Sequence, residues 1–211
     1  MTQDGALDIL KTGANVFLTG EPGAGKTHTI NAFVGYLRDR DIEPAITAST
    51  GIAATHIGGM TIHSWSGIGI RRKLDKYDLD KIASSEYIAK RIHRTKVLII
   101  DEVSMLSSDT LDMVDMVCRE VRQSGEAFGG MQIILVGDFF QLPPIVRVDG
   151  VEEKQNSLIA EVGLPPKNNR FAYESGAWDR ARLVVCYLAE QHRQDDKDFL
   201  SVLSAIRAND V

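Results

Sequence analysis

The sequence predicts an α/β fold with three layers, in which a mostly parallel sheet carries helices on both faces. Apolar runs of strand length alternate with segments of helical periodicity along the chain, and this alternation favours parallel crossover connections. Residues 97–100 and 132–136 are apolar at almost every position, as is typical of strands covered on both faces. A glycine-rich loop joins the first predicted strand to the following helix. With 211 residues, the chain can form one good-sized core.

The individual elements are predicted from periodicity, glycine and proline positions, and turn residues. The predicted strands are residues 15–19, 45–49, 97–100, 132–136 and 183–188. The predicted helices are residues 3–11, 26 to about 40, a helix starting at 52–54, at least one helix within 71–94, a helix ending near 123, and a last helix with Phe199, Val202, Leu203 and Ile206 on one face. A polar stretch at about 148–170 is predicted to be an exposed insertion.

The first loop has the pattern G-x-x-x-x-G-K-T between Gly20 and Thr27. In a strand-loop-helix context, the backbone amides of this pattern and the helix N-terminus bind phosphate oxygens. The alternative is a glycine-rich turn that caps a helix and binds nothing, but both flanks favour a nucleotide site of the P-loop NTPase type. The candidate nucleotide-binding residues are Gly23, Ala24, Gly25, Lys26, Thr27 and His28.

Asp101 and Glu102 follow the strand at residues 97–100. Beside a phosphate loop, the aspartate is expected to hold Mg²⁺ together with the Thr27 hydroxyl, on the tip of a neighbouring strand. Glu102 is the candidate general base for an attacking water, and Lys26 would neutralise charge on the β- and γ-phosphates. The alternative is a pair of carboxylates that only stabilise a helix N-terminus.

Other polar groups have two interpretations each. Gln141, after the next strand, could sense the γ-phosphate or could cap the proline turn that follows it. Thr61, His63 and Ser64 suit contacts with a phosphate backbone, whereas His63 could equally be a structural histidine. Trp65 could stack on a base or pack in the core. The basic cluster at residues 71–73 is typical of a solvated surface.

Composition limits the classes of function. The net charge of −5 argues against a protein that binds nucleic acid over its whole surface, but it allows a local basic path. Cys118 and Cys186 stand singly in apolar runs, so we expect buried free thiols. No apolar run reaches the length of a membrane helix. We therefore expect no membrane partner and a location inside the cell, cytoplasmic if the source is bacterial.

Taken together, these motifs resemble those of the petite-integration-frequency helicases of superfamily 1B, and the likeness covers nearly the whole chain. The matching segments are the phosphate loop at 19–27, motif Ia at 47–54 (TASTGIAA), the run GMTIHS at 59–64, motif II at 99–105 (IIDEVSM), motif III at 136–144 (VGDFFQLPP) and the start of motif IV at 188–194 (LAEQHRQ). Motif III and the run at 59–64 are the most specific of these. His192 departs from the aromatic residue expected before Arg193.

The resemblance implies a RecA-like domain and a role for each matching residue. Gln3 would contact adenine, Gln141 would link the γ-phosphate to bound DNA, and Arg193 would reach toward the γ-phosphate. A small strand-separating wedge is expected at about 65–76. The residues implied to contact DNA are Thr50, Gly51, Thr61, His63, Ser64 and Pro143.

The resemblance also implies ATP and Mg²⁺ as cofactors, and single-stranded and duplex or structured DNA as partners. The expected activity is 5′-to-3′ translocation with duplex unwinding in genome maintenance, by a monomer. Because the chain ends at Val211, just past motif IV, we expect the second motor domain to be missing, ATP hydrolysis to be slow and unwinding by the fragment alone to be absent. The alternatives are an NTP-driven switch that acts on a protein partner and a non-catalytic binding module.

Overall fold

A computed structural model describes residues 1–141 and 171–189 of the chain. Within them, six strands form one sheet in which every pairing is parallel, in the order β3-β2-β4-β5-β1-β6. The strands are β1 (Val16–Gly20), β2 (Ala45–Ala48), β3 (Met60–Thr61), β4 (Val97–Asp101), β5 (Gln132–Val136) and β6 (Val184–Leu188). Because all six strands run the same way, their carboxyl ends lie at one edge of the sheet.

Eight helices are described. They are α1 (Gln3–Lys11), α2 (Lys26–Arg38), α3 (Gly51–His56), α4 (Ile62–Ser66), α5 (Lys76–Ala83), α6 (Glu86–Arg94), α7 (Ser108–Arg122) and α8 (Gly176–Ala181). Short 3-10 turns are present at Val103–Met105, Ala127–Gly130 and Ala172–Glu174. None of the helices in the described ranges combines the length and the apolar character needed to cross a bilayer.

The sheet separates two apolar cores, because successive side chains of a strand point to opposite faces. In β4, Ile99 packs with α1 and α2, whereas Leu98 and Ile100 pack with α4 to α8. This is the three-layer α/β arrangement that the sequence predicts. Cys118 and Cys186 are both free and buried, as expected.

Most predicted elements are present, with ends shifted by one or two residues. Helix α2 ends at Arg38 rather than near Arg40, and β2 ends at Ala48 rather than at Ser49. The glycine-rich stretch contains β3 and α4, which the sequence did not predict, and the charged stretch that follows contains two helices, α5 and α6. The insertion at 148–170 and the last helix lie outside the described residues.

One expectation about the sheet is wrong. The acidic pair was expected on a strand next to β1, but β5 lies between β1 and β4. Strand β5 pairs with both, through Ile134 to Val16 and through Ile133 to Leu98. The polar residues that follow β5 therefore lie between the phosphate loop and the acidic pair.

A candidate nucleotide site at the carboxyl edge of the sheet

Three glycines of the phosphate loop, Gly20, Gly23 and Gly25, have positive φ angles. Gly20 has φ +150° and Gly25 has φ +88°. A Cβ on Gly20 would lie 2.6 Å from the carbonyl oxygen of Leu188, and a Cβ on Gly25 would collide with the side-chain amide of Gln3. The Gln3 amide also donates a hydrogen bond to the carbonyl oxygen of Ala24 at 3.3 Å. Gln3 therefore lies directly against the loop.

Lys26 begins α2, and its ammonium group already lies within the loop. Its Nζ atom donates hydrogen bonds to the carbonyl oxygens of Gly20 at 2.7 Å and Glu21 at 3.2 Å. Thr27 and His28 are exposed at the start of the helix. The Lys26 ammonium thus lies at the carboxyl end of β1, beside the phosphate loop.

The acidic pair is at the end of β4. One carboxylate oxygen of Asp101 accepts a hydrogen bond from the backbone N–H of Glu102 at 2.9 Å. Glu102 has a left-handed backbone with φ +53°, which is costly for a residue with a side chain. Although Glu102 precedes a 3-10 turn, its side chain makes no capping bond. The capping interpretation is therefore not supported for Glu102.

Burial raises the pKa of both carboxyl groups. For Asp101, the hydrogen bond from Glu102 and the charge of Lys26 oppose this increase in pKa. For Glu102, burial and then the negative charge of Asp101 raise the pKa, Lys26 lowers it, and Asp138 raises it further. An elevated carboxyl pKa is what a general base near neutral pH requires.

Asp138 is a further site residue, with no role predicted from the sequence. It is buried after β5, and its carboxylate accepts hydrogen bonds from the Gln141 side-chain amide at 3.0 Å and from the Phe140 backbone at 3.1 Å. The Gln141 backbone N–H donates to the Asp138 carbonyl oxygen at 3.0 Å. Asp138 therefore holds the Gln141 side chain at the edge of the sheet. One feature of the sequence could have indicated Asp138: like Asp101, it comes at the end of an apolar strand.

The phosphate loop, Glu102 and Gln141 line one open cleft of about 380 Å³. Its lining residues are Pro22, Gly23, Gly25, Lys26, Thr27, Glu102 and Gln141. Glu102 and Gln141 thus lie on the same cleft as the phosphate loop, although β5 and β4 come more than 70 residues later in the chain. Thr27 and Asp101 line an adjoining cavity of about 150 Å³.

The residues of this cleft fit a magnesium ion bound together with a nucleotide. Among the residues that the structure describes, no three His, Cys, Asp or Glu side chains form a cluster that could hold a metal without other ligands. Magnesium usually takes one or two protein oxygens and completes its shell with phosphates and water. Thr27 and Asp101 have such oxygens and line one cavity, whose other walls are mainly isoleucine and valine side chains.

The candidate DNA contacts follow β2 and β3 at the same edge of the sheet. Thr50 caps α3 by accepting a hydrogen bond from the Ala53 backbone at 3.2 Å, and Thr61 caps α4 in the same way through Ser64. Because the Thr50 and Thr61 hydroxyls only accept in these bonds, each still has a proton that it can donate to a ligand. Gly51 and Ser64 are exposed.

The two ring side chains of this segment differ in burial. His63 is half-buried, and burial lowers its pKa. Trp65 is 2% exposed and packs in the core, so the core interpretation holds for it and the base-stacking interpretation does not. Trp65 therefore cannot provide the tip of the wedge expected at 65–76, although Ile70 in the same stretch is fully exposed.

Arg91 of α6 is a second residue with no role predicted from the sequence. Its guanidinium donates to the carbonyl oxygens of Ser64, at 3.0 Å, and of Trp65, and contacts the Met60 sulfur at 3.7 Å. These contacts join residues 26 to 31 positions apart, so no local sequence pattern could have indicated them. Pro143 and Arg193, two further predicted site residues, lie outside the described ranges.

The chain resembles known helicases in sequence and in structure. The family model for PIF1-like helicase matches residues 5–211. The "ATP-dependent DNA helicase Pif1" of Psychrobacter sp. is 49% identical over 92% of this chain and 27% of its own length. The crystal structure of Pif1 helicase from Candida albicans matches with a TM-score of 0.81 and 33% identity, over 97% of this chain and 43% of that chain.

A second solved structure, Pif1 helicase from Bacteroides "in complex with ADP-AlF3 and ssDNA", matches with a TM-score of 0.78 and 32% identity, over 99% of this chain and 46% of that chain. The chain spans about a quarter of the length of the Psychrobacter helicase. The family match, which extends over nearly every residue, agrees with the phosphate loop, the acidic pair and the Asp138–Gln141 pair described above. The chain belongs to the PIF1-like helicase family.

Proposed function

We propose that this chain is the ATP-hydrolysing first motor domain of a DNA helicase that moves 5′ to 3′ on single-stranded DNA and unwinds duplex or structured DNA in genome maintenance. The observation that carries the proposal is that the phosphate loop, Glu102 and Gln141 line a single cleft. If the loop only capped α2, there would be no reason for a candidate base and a side-chain amide, which follow two other strands, to line the same cleft.

ATP binding is the first step. The amides of residues 23–27 and the N-terminus of α2 would bind the phosphates, with Gln3 against the adenine side of the loop. Lys26 would exchange its bonds to Gly20 and Glu21 for phosphate oxygens. Thr27 and Asp101 would hold Mg²⁺, which neutralises phosphate charge when it is bound.

Hydrolysis requires a base beside the γ-phosphate. Glu102, whose pKa is raised by burial and by Asp101, would accept the proton of the attacking water. Gln141 reaches the same cleft while its amide nitrogen is bonded to Asp138. Its position is therefore suited to respond to the γ-phosphate. Arg193 is proposed to approach the γ-phosphate from motif IV.

The same edge of the sheet would bind single-stranded DNA. The hydroxyl protons of Thr50 and Thr61, the backbone at Gly51 and the side chains of His63 and Ser64 are the proposed phosphate contacts, together with Pro143 of motif III. In support, the similar Pif1 helicase from Bacteroides has been solved "in complex with ADP-AlF3 and ssDNA". A wedge within residues 65–76 and a monomeric state also remain proposals.

The test is the ATPase rate with and without single-stranded DNA. A helicase motor requires a rate that rises on addition of DNA, whereas a switch that acts on a protein partner would hydrolyse ATP at a rate indifferent to DNA. For the 211-residue chain alone we expect ATP binding, slow hydrolysis and no unwinding. Robust unwinding by that chain would contradict this expectation.

A further inference from the structure

The stretch of residues 71–96 is basic although the chain as a whole is acidic. It contains nine lysine and arginine residues against four aspartate and glutamate residues, whereas the whole chain contains 24 against 29. This stretch forms α5, α6 and the loops on either side. A local excess of positive charge on an acidic protein is the electrostatic footprint expected of a surface for a polyanion.

Helix α6 presents part of this charge in a row. Tyr87, Lys90 and Arg94 are three and four residues apart, so they lie on one side of the helix, and all three are exposed. On the opposite side, Ile92 is fully buried in the core. Lys90 and Arg94 are separated by about 6 Å along the helix axis. We call these three residues the α6 basic face.

Lys90 and Arg94 form no ion pair with an acid of residues 1–141 and 171–189, although Glu86 lies one turn before Lys90 on the same helix. Asp41 and Glu43 line a groove of about 540 Å³ together with Arg94. Glu43 is bonded to Arg38 at 2.7 Å, and Asp41 is not within ion-pair distance of Arg94. The charge of the α6 basic face is therefore available to an external partner.

The helix that has the α6 basic face packs against the protein segment with the candidate DNA contacts Thr61, His63 and Ser64. Arg91, on the same helix, donates to the carbonyl oxygens of Ser64 and Trp65. A Cβ on Gly67, just after α4, would lie 2.5 Å from the Ile88 side chain, so α4 and α6 are in close contact. A ligand bound at Ser64 would therefore have the α6 basic face next to it.

We propose that the α6 basic face binds the phosphate backbone of duplex DNA next to the single-stranded segment held by Thr61, His63 and Ser64. A row of cations on a straight helix matches a backbone and reads no bases. Single strands are usually bound through stacking on several aromatic side chains, whereas the α6 basic face has one aromatic ring, Tyr87, and one side of that ring faces the Arg91 guanidinium at 5.0 Å. The inference rests on the proposed helicase function, which provides a duplex beside a single strand.

The test is the fluorescence anisotropy of labelled DNA with the 211-residue chain and its variant Lys90→Gln/Arg94→Gln. The probes are a blunt-ended duplex and a single strand of the same sequence. The matched control is Lys11→Gln/Arg40→Gln, which removes two exposed cations from the α1–α2 side of the sheet. Melting temperature and affinity for a fluorescent ATP analogue report whether each variant is folded.

We expect Lys90→Gln/Arg94→Gln to weaken duplex binding about tenfold and to reduce the salt dependence of log K by about 2, because two phosphate contacts are lost. Single-strand and nucleotide affinities should stay within about twofold of the parent, and the control should match the parent for every ligand. The conservative variant Lys90→Arg/Arg94→Lys should retain duplex binding.

Three results would overturn the inference: unchanged duplex affinity, an equal loss for duplex and single strand, or a parent chain that does not bind duplex. These outcomes are distinguishable from failure of the proposed function. If the proposed function failed, neither ATP nor single-stranded DNA would bind the parent chain.

Discussion

The backbone N–H of Ser49 donates a hydrogen bond to the carbonyl oxygen of Asp101 at 3.1 Å. This bond extends the pairing of β2 with β4 beyond Ala48, which is paired with Asp101 in register. Thr50, which caps α3, follows Ser49 directly, and Glu102 follows Asp101 directly. The candidate magnesium ligand and the candidate DNA contact are therefore joined through one hydrogen-bonded pair of strands, and we propose this pair as a route that couples ATP to DNA.

Thr50 provides the first prediction. Replacing it by aspartate keeps a good N-cap acceptor for the Ala53 N–H but removes the hydroxyl proton and adds a negative charge. We expect the variant to melt close to the parent temperature and to bind single-stranded DNA at least about tenfold more weakly. Thr50→Ser, which keeps both the cap and the proton, is the control. Parent-like DNA affinity of Thr50→Asp would remove Thr50 from the interface.

Asp138 is predicted to act through Gln141. Asp138→Asn removes the charged acceptor of the Gln141 amide, so we expect hydrolysis to fall by about tenfold while nucleotide affinity is unchanged. The decisive comparison is the double variant with Gln141→Ala, which should hydrolyse ATP no more slowly than Gln141→Ala alone. Additive losses would show that the two side chains act independently.

Glu102→Gln is expected to keep nucleotide binding and to reduce hydrolysis by about 10²- to 10⁴-fold, because it removes the proton acceptor but hardly changes the size of the side chain. The measurement is single-turnover ATP hydrolysis alongside the affinity for a fluorescent nucleotide. Glu21→Gln, on the phosphate loop, is a matched control for the loss of one negative charge near the cleft. Unaltered turnover of Glu102→Gln would exclude Glu102 as the base.

The same substitution should stabilise the nucleotide-free chain. The pKa of Glu102 is raised in the folded state, chiefly by burial and by Asp101, so the ionised group is less favourable there than in the unfolded chain. The free energy of unfolding should therefore fall as the pH rises through this raised pKa, and Glu102→Gln should lessen that fall. Thermal unfolding at about pH 5 and about pH 8 measures both effects. A variant that melts below the parent at the higher pH would contradict this assignment.

Gly25 is predicted to tolerate no side chain. Gly25→Ala would adopt an unfavourable left-handed backbone, costing about 1–2 kcal/mol, and would also collide with Gln3. The double variant Gln3→Ala/Gly25→Ala should recover part of the lost stability, because the collision is removed and the backbone cost remains. Chemical denaturation of both variants and of Gln3→Ala measures the difference. Equal stability of Gly25→Ala and the parent would mean that the loop geometry is wrong.

The α/β class, the phosphate loop and the acidic pair could be predicted because each depends on local patterns. Asp101 and Glu102 follow an apolar strand, and Lys26 follows a glycine-rich loop, so a short window contains the signal. Strand β3 could not be predicted because two residues, Met60 and Thr61, have no periodicity.

Contacts between distant residues are the other limit. The order of the strands, with β5 between β1 and β4, depends on how crossovers pack and not on any one segment. The contacts of Arg91 with Ser64 and Trp65 and the burial of Trp65 likewise depend on the docking of α6 against α4. The sequence left both core packing and base stacking open for Trp65, and the structure shows that it packs in the core.

A crystal structure of the chain with Mg²⁺ and a non-hydrolysable ATP analogue would test the central claim most directly. We predict that the phosphates lie against the amides of residues 23–27, with the metal between the Thr27 hydroxyl and the Asp101 carboxylate and with Glu102 facing the γ-phosphate. A nucleotide bound elsewhere, or a phosphate loop left empty at saturating nucleotide, would contradict the account.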